Sequence, residues 1–228
     1  MTEDGIAAVT FDLDGTLLQY ERSPGEVLQQ SYETLGIEPI FPVDEYYDRY
    51  DEFASQYDSL DRAREACFAT LAADRGYDPE RGRAVAAAFT TERDQTRVEP
   101  LPGAERTIAA ISEEYRTAII TNGAADAQRQ KIAANGFGER VDTVVVAGAE
   151  CPAKPATEPF ERALDSLGVG PAETVHVGDS LETDVAGANA AGVRSVWIGE
   201  EAEVGTEQTE RVASLAELFE LPMLAELA

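Results

Sequence analysis

The sequence predicts a doubly wound, Rossmann-like α/β fold with a mostly parallel sheet and an all-helical domain inserted near its start. Three observations predict it. A short, continuous apolar run, residues 6–11, closes on Asp12-Leu13-Asp14-Gly15-Thr16, which is how a strand buried on both faces reads. Residues 18–97 then show helical patterning rich in Ala, Glu, Arg and aromatics, with no convincing strand. Beyond Pro100-Leu101-Pro102-Gly103, strand-like and helix-like segments alternate, the pattern of parallel βαβ units.

The elements follow in order. The first strand covers 6–11. The helical insertion, 18–97, carries helices over 25–35, 43–57, 61–75 and 79–96, divided by Gly36, Gly76 and the Asp78-Pro79 turn. The core is formed by 1–17 and 98–228, with Pro100–Gly103 as its hinge. Its further strands are expected over 117–121, 143–147, 174–177 and 194–198. Its helices are expected over 104–114, 124–135, 157–167 and 183–191. Such sheets bind ligands in the crevice at the carboxyl ends of their strands, so polar residues that close strands are the candidates for chemistry.

Composition narrows the function. The 228 residues, 43% apolar and 27% charged, are enough for a substantial core. Forty-four acidic residues face eighteen basic ones, a net charge of −26, which argues against nucleic-acid polymers and membrane surfaces as partners. The basic side is skewed, with sixteen Arg and two Lys, Lys131 and Lys154. This reads as adaptation to a salt-rich, halophilic cytoplasm whose cations screen self-repulsion. Cys67 and Cys151 lack CxxC spacing and suggest neither a disulfide framework nor a zinc site. There is no basic n-region and no apolar run near the ~20 residues of a membrane span, so a cytoplasmic protein is expected. His176 is the one histidine, which leaves little room for a Ser–His triad; it reads as a core or crevice-lining residue. Gly168-Val169-Gly170 follows no strand and GxxxxGK[ST] is absent, so neither nucleotide-loop signature is present.

The strand ends supply Asp12 and Asp14, then Thr121-Asn122, then Lys154, then Asp179 and Asp184. Two residues apart on an extended chain, Asp12 and Asp14 share a side. If Asp179 joins them, three anions share one crevice. Two carboxylates 4 Å apart repel by about 4 kcal/mol at an effective dielectric of 20, so the group calls for a cation. All-oxygen ligation favours Mg2+, which keeps waters for a phosphate to displace. Thr121 offers a hydroxyl, and Asn122-Gly123 opens a helix whose free N–H groups favour an anion. Lys154 adds a compact positive charge in a chain that otherwise uses Arg. Taken singly, each cluster is also a common turn, cap or loop. Their conjunction, in one order along the strand ends, is what carries the reading.

Those clusters resemble the haloacid dehalogenase superfamily, in its branch with a helical cap after the first strand. DLDGTL at 12–17 matches the first motif, IITNG at 119–123 the second, Lys154-Pro155 the third and GDSLETD at 178–184 the fourth. The resemblance covers nearly the whole chain and implies a Mg2+-dependent phosphatase acting on a small phosphorylated metabolite. By it, Asp12 is the nucleophile and a metal ligand. Asp14 is the general acid/base, with its backbone carbonyl on the metal. Thr121 and the Asn122 amide hold the phosphoryl group, Lys154 neutralises charge, Asp179 ligates the metal and Asp184 supports it. A phosphomutase would use the same core residues. A metal-independent 2-haloacid dehalogenase fits less well, because family members of that kind lack an acid at the place of Asp14 and lack the GDxxxxD motif. A phospho-accepting signalling module fits poorly with the helical insertion. Arg22, Arg49, Arg62 and Arg64 are candidates for a second anionic group of the substrate, and solvated helix faces are the plainer reading of them. Substrate identity and oligomeric state stay open.

Overall fold

The computed structural model describes residues 5–54, 56–57, 59–199 and 209–227. Residue 55 of the predicted helix 43–57 and residues 1–4 of the N-terminal segment lie outside them. The chain divides into two compact units, Met1–Gln19 with Val98–Ala228, and Tyr20–Arg97.

The strands described are β1 (Ala8–Phe11), β2 (Leu18–Tyr20), β3 (Val98–Pro100), β4 (Arg116–Asn122), β5 (Thr143–Ala147), β6 (Thr174–Gly178), β7 (Arg194–Ile198) and β8 (Thr209–Val212). Six of them form one sheet in the order β5-β4-β1-β6-β7-β8, parallel throughout, while β2 and β3 pair separately. Every residue of β1 and β6 is buried. That burial explains why these strands are continuous apolar runs and not alternating ones. Phe11 is level with Ile119 on one side and Val177 on the other, so the residues following β1, β4 and β6 emerge along one edge.

The helical unit holds α1 (Pro24–Leu35), α2 (Val43–Ala54), α3 (Leu60–Ala73) and α4 (Pro79–Glu92). Its helix starts are written in the sequence. Ser23 and Glu26 form a reciprocal capping box before α1, with Pro24 at the first position. Ser59 caps α3 and Asp78 caps α4. Its core is aromatic: Phe68 meets Phe41 and Tyr46 edge-on, each with ring centroids 4.9 Å apart.

The other unit adds α5 (Ala104–Glu114), α6 (Ala125–Asn135), α7 (Glu158–Leu167) and α8 (Ala186–Ala190). Three differences from the sequence expectation stand out. Strands β2, β3 and β8 were not expected, being three or four residues long and polar in part, too short for a period-two signal. The helix predicted over 79–96 stops at Glu92, where Asp94 turns the chain by accepting from the Thr96 N–H at 2.9 Å. The helix predicted over 183–191 is a π-helical turn, Leu181–Val185, running into α8.

Candidate active site

Asp12 directly follows β1 and is 7% exposed. Its N–H donates to Val177 O at 2.9 Å, extending the sheet by one residue toward β6. Lys154 arrives from the loop after β5, and its Nζ donates to Asp12 Oδ1 at 2.7 Å, Asp184 Oδ1 at 2.5 Å and Ile120 O at 2.7 Å. An ammonium has three donors, and all three are used. The loop is pinned from β4: Lys154 N–H donates to Asn122 Oδ1 at 2.8 Å, and Asn122 Nδ2 donates to Lys154 O at 3.0 Å.

Asp179 and Asp184 follow β6. The π-helical turn lets the Ser180 N–H donate to Asp184 Oδ2 at 3.1 Å, closing the carboxylate back over Gly178. A Cβ on Gly178 would lie 2.4 Å from Asp184 Cγ, and one on Gly15 would lie 2.4 Å from Asp179 Oδ2. Only glycine admits these two approaches. His176, wholly buried within β6, lies 2.9 Å through Nδ1 from Thr10 Oγ1 and 3.4 Å through Nε2 from Asp184 Oδ1. It backs the site as a core residue with polar work to do. Thr16 Oγ1 donates to Asp179 Oδ1 at 3.3 Å, and Trp197 Nε1 fixes the Asp179 carbonyl at 2.8 Å.

Asp14 lies apart from this group through its side chain. Lys131 Nζ on α6 donates to both of its oxygens at 2.8 Å, and Gln128 Nε2 donates to Oδ2 at 2.8 Å. Gln128 Nε2 is also 2.8 Å from Thr121 Oγ1 and 2.7 Å from Asn122 O.

Burial shapes the charges. Burial pushes the Asp12 carboxyl up to about 7, against the pull of Lys154 and with the help of Asp184. Burial also works against ionisation of Asp184, but the hydrogen bond to His176 and the Lys154 ammonium outweigh it and hold that carboxyl below the usual range. Asp179 is raised by burial and by Asp184. Lys154 loses by burial and gains more from Asp12 and Asp184, so its ammonium is held above the ordinary lysine value. Burial lowers His176, which keeps it neutral.

Every residue singled out at the strand ends therefore sits at one edge of the sheet, but the grouping differs at Asp14. The carboxylates of Asp12, Asp179 and Asp184 each place an oxygen within 4.8 Å of the others, while that of Asp14 is held on α6. The Asn122 carboxamide bonds at both ends to the backbone of Lys154 and so serves the loop. Three carboxylates against one ammonium, all with oxygen donors, suit a hard divalent cation such as Mg2+. With Asp184 already accepting from Lys154 and Ser180, Asp12 and Asp179 are the carboxylates best placed to ligate it. Sequence reasoning missed Lys131 and Gln128. The signal was there in their spacing, three apart on the helix that follows Thr121-Asn122. Arg22, Arg49 and Arg64 are taken up inside the helical unit, by Glu92, by Asp74, and by Asp61 with Thr90.

The haloacid dehalogenase-like hydrolase family model matches residues 6–192, and the chain belongs to that family. It is 37% identical to a phosphoserine phosphatase of Thermus thermophilus over 68% of its own length and 64% of that protein's, just under two thirds. It is 29% identical to a glyceraldehyde 3-phosphate phosphatase of Pyrococcus furiosus over 97% of its length and 92% of that protein's. The crystal structure of a phosphatase of the same family from Thermococcus onnurineus superposes with a TM-score of 0.63 at 27% identity, covering 94% of this chain and 97% of that one. Each of these relatives is named as a phosphatase.

Proposed function

We propose that the protein is a Mg2+-dependent phosphatase that hydrolyses a small-molecule phosphate monoester through a phosphoaspartyl intermediate on Asp12. The observation that carries the reading is the Lys154 ammonium bridging Asp12 and Asp184 beside Asp179. It gives a buried carboxylate one oxygen held by a cation and the other left to attack.

In this reading the phosphorus–oxygen bond of the ester breaks as Asp12 Oδ2 attacks, and Asp14 delivers a proton to the departing alkoxide. Water then attacks the phosphoryl group on Asp12, with Asp14 accepting its proton, and phosphate leaves. Splitting the hydrolysis into two displacements is the gain that a carboxylate nucleophile offers. A bound Mg2+, held by Asp12, Asp179 and the Asp14 carbonyl, supplies charge stabilisation for the phosphoryl oxygens. Lys154 neutralises Asp12 without leaving it. Thr121 donates to a phosphoryl oxygen. Asp184, fixed by His176 and Ser180, holds Lys154 in place, and Asn122 fixes the loop that carries it. The helical unit, Tyr20–Arg97, acts as the cap that selects the substrate. Among the described residues no helix is long and apolar enough to cross a membrane.

The test is a panel of phosphate monoesters assayed with Mg2+, after thorough chelation, and after Mg2+ is restored. Turnover should vanish and return. Asp12→Asn should abolish it, and rapid quenching of the wild type should find the phosphoryl group on the peptide containing Asp12. Undiminished turnover under chelation, or phosphate on Asp14, would sink the mechanism.

A further inference from the structure

Lys131 and Gln128 do something that the packing of α6 does not require. Their neighbours Arg129 and Gln130 are exposed, yet Lys131 is 4% and Gln128 3% exposed, turned inward together. Burying an ammonium is costly unless it is paired, and a buried pair seldom adds stability over an apolar side chain of similar size. Its partner Asp14 is 36% exposed through its side chain, so the pair offers little stability in return for burying a lysine here. Lysine is also the rare cation of this chain, with two against sixteen arginines, and each of the two sits on one aspartate of the Asp12-Leu13-Asp14 motif. A compact ammonium can bridge both oxygens of one carboxylate in a space where a planar guanidinium would need a wider fork.

Gln128 has the complementary geometry. Its Nε2 faces three oxygens, from Asp14, Thr121 and Asn122. Turning the carboxamide over would set Oε1 against all three, so the donor end is fixed by its surroundings. Its carboxamide oxygen, pointing the other way, has no hydrogen-bond partner among the described residues. The amide nitrogen has two hydrogens for these three oxygens, and when Thr121 Oγ1 accepts one of them the hydroxyl keeps its own proton for another acceptor.

We propose that Lys131 and Gln128 are positioning residues: a two-residue cradle on α6 that fixes the Asp14 carboxylate and ties it, through Gln128, to the Thr121 hydroxyl. Three N–H donors from one helix hold the carboxylate in one orientation. The group that exchanges protons and the group that grips the phosphoryl oxygen then share a single support. This rests on the phosphatase reading, in which Asp14 carries the proton. Misplacement of a reacting group by about 1 Å is enough to lose on the order of 10²-fold in rate.

The experiment is a kinetic cycle with Lys131→Met, Asp14→Asn and the double variant, using an alkyl phosphate and p-nitrophenyl phosphate as substrates. Lys131→Met should slow phosphoenzyme formation, read by rapid quench, on the order of 10²-fold for the alkyl phosphate, slow it less for the aryl phosphate, whose leaving group needs little protonation, and leave substrate binding nearly unchanged. In the Asp14→Asn background the same substitution should have almost no further effect. Equal losses in both backgrounds, equal losses for both leaving groups, or no loss at all would overturn the proposal. Thermal midpoints of the same four proteins test the pairing without any assay. A departure from additivity of about 2 °C or more supports it, and additive shifts overturn it. Should the wild type turn over no phosphate ester, the phosphatase reading fails while the midpoints still decide the cradle. Should Lys131→Met not fold, Lys131→Gln replaces it with the same expectations.

Discussion

At the scale of single residues, the site works by setting unlike demands on like groups. Asp12 and Asp184 both touch the Lys154 ammonium, yet burial pushes the first up to about 7 while the second is held below the usual range. The difference is His176, which bonds Asp184 and not Asp12. A consequence for metal binding follows. Without metal, Asp12 is protonated below about pH 7 and ionised above it, and a ligating carboxylate must give up its proton. Mg2+ affinity should therefore rise with pH, approaching tenfold per unit below about 7, and level off above it. The same shift means that Asp12 favours the metal-free fold below its unfolded value near 4 and that this contribution is lost as pH climbs through about 7. Isothermal titration with Mg2+ at intervals from about pH 5.5 to about pH 8.5 measures the first effect. A flat affinity over that range would mean that Asp12 is ionised throughout. Residue identities at the strand ends were legible in the sequence because motif order fixes them. The commitments of Asn122 and Asp14 were not, because a carboxamide or carboxylate takes its partners from chain segments far away in sequence, here Lys154 and Lys131.

At the scale of elements, the strands that position the site were readable and their accessories were not. Strands β1, β4, β5, β6 and β7 fall within a residue or two of the apolar runs that predicted them, because burial on both faces leaves an unbroken signal. The turn after β6 is different. Its sequence, Ser180 to Asp184, carries a helix-start signature, and the expected α-helix gives way to a π-helical turn with Val185 N–H donating to Ser180 O at 3.1 Å. Close approach of Asp184 to Gly178 decides this, and no local pattern announces it. Gly178→Ala tests the idea. Its backbone needs no positive φ, so the cost is steric: the new methyl would meet Asp184 Cγ at 2.4 Å and displace the carboxylate from Lys154. A loss of about 1–3 kcal/mol in stability is expected, together with a fall in Mg2+ affinity and in turnover. Gly36→Ala is the control, since Gly36 has φ 65° with open space around it. Placing a Cβ there costs about 1–2 kcal/mol of backbone strain and should leave activity untouched. If both variants lose stability and both keep full activity, the Gly178–Asp184 contact is not what aligns the site.

At the scale of the whole molecule, charge balance makes the last prediction. Eighteen basic residues can neutralise at most eighteen of the forty-four acidic ones, leaving 26 negative charges without a partner however the ion pairs are arranged. The exposed pairs that do form, such as Arg83–Glu80 and Arg162–Glu158, are screened by solvent and add little stability. They do not offset repulsion summed over the surface. Added salt should do so, because the Debye length falls from about 10 Å at 0.1 M to about 3 Å at 1 M. For a chain of this size a gain of about 3 kcal/mol corresponds to roughly 10 °C in thermal midpoint. A rise of that order is expected between dilute buffer and molar KCl. Strengthened hydrophobic burial would also raise the midpoint in salt, but it continues to grow with concentration, whereas screening is nearly complete once the Debye length is shorter than the spacing of surface charges. Most of the rise should therefore come below about 1 M KCl. Carrying out the melts on Asp12→Asn in the presence of a chelator removes any share owed to cations bound at the site. A midpoint that stays level from dilute buffer to molar KCl would show that the acidic surface is already tolerated at low salt. A midpoint that climbs linearly beyond 1 M would assign the effect to burial and not to charge.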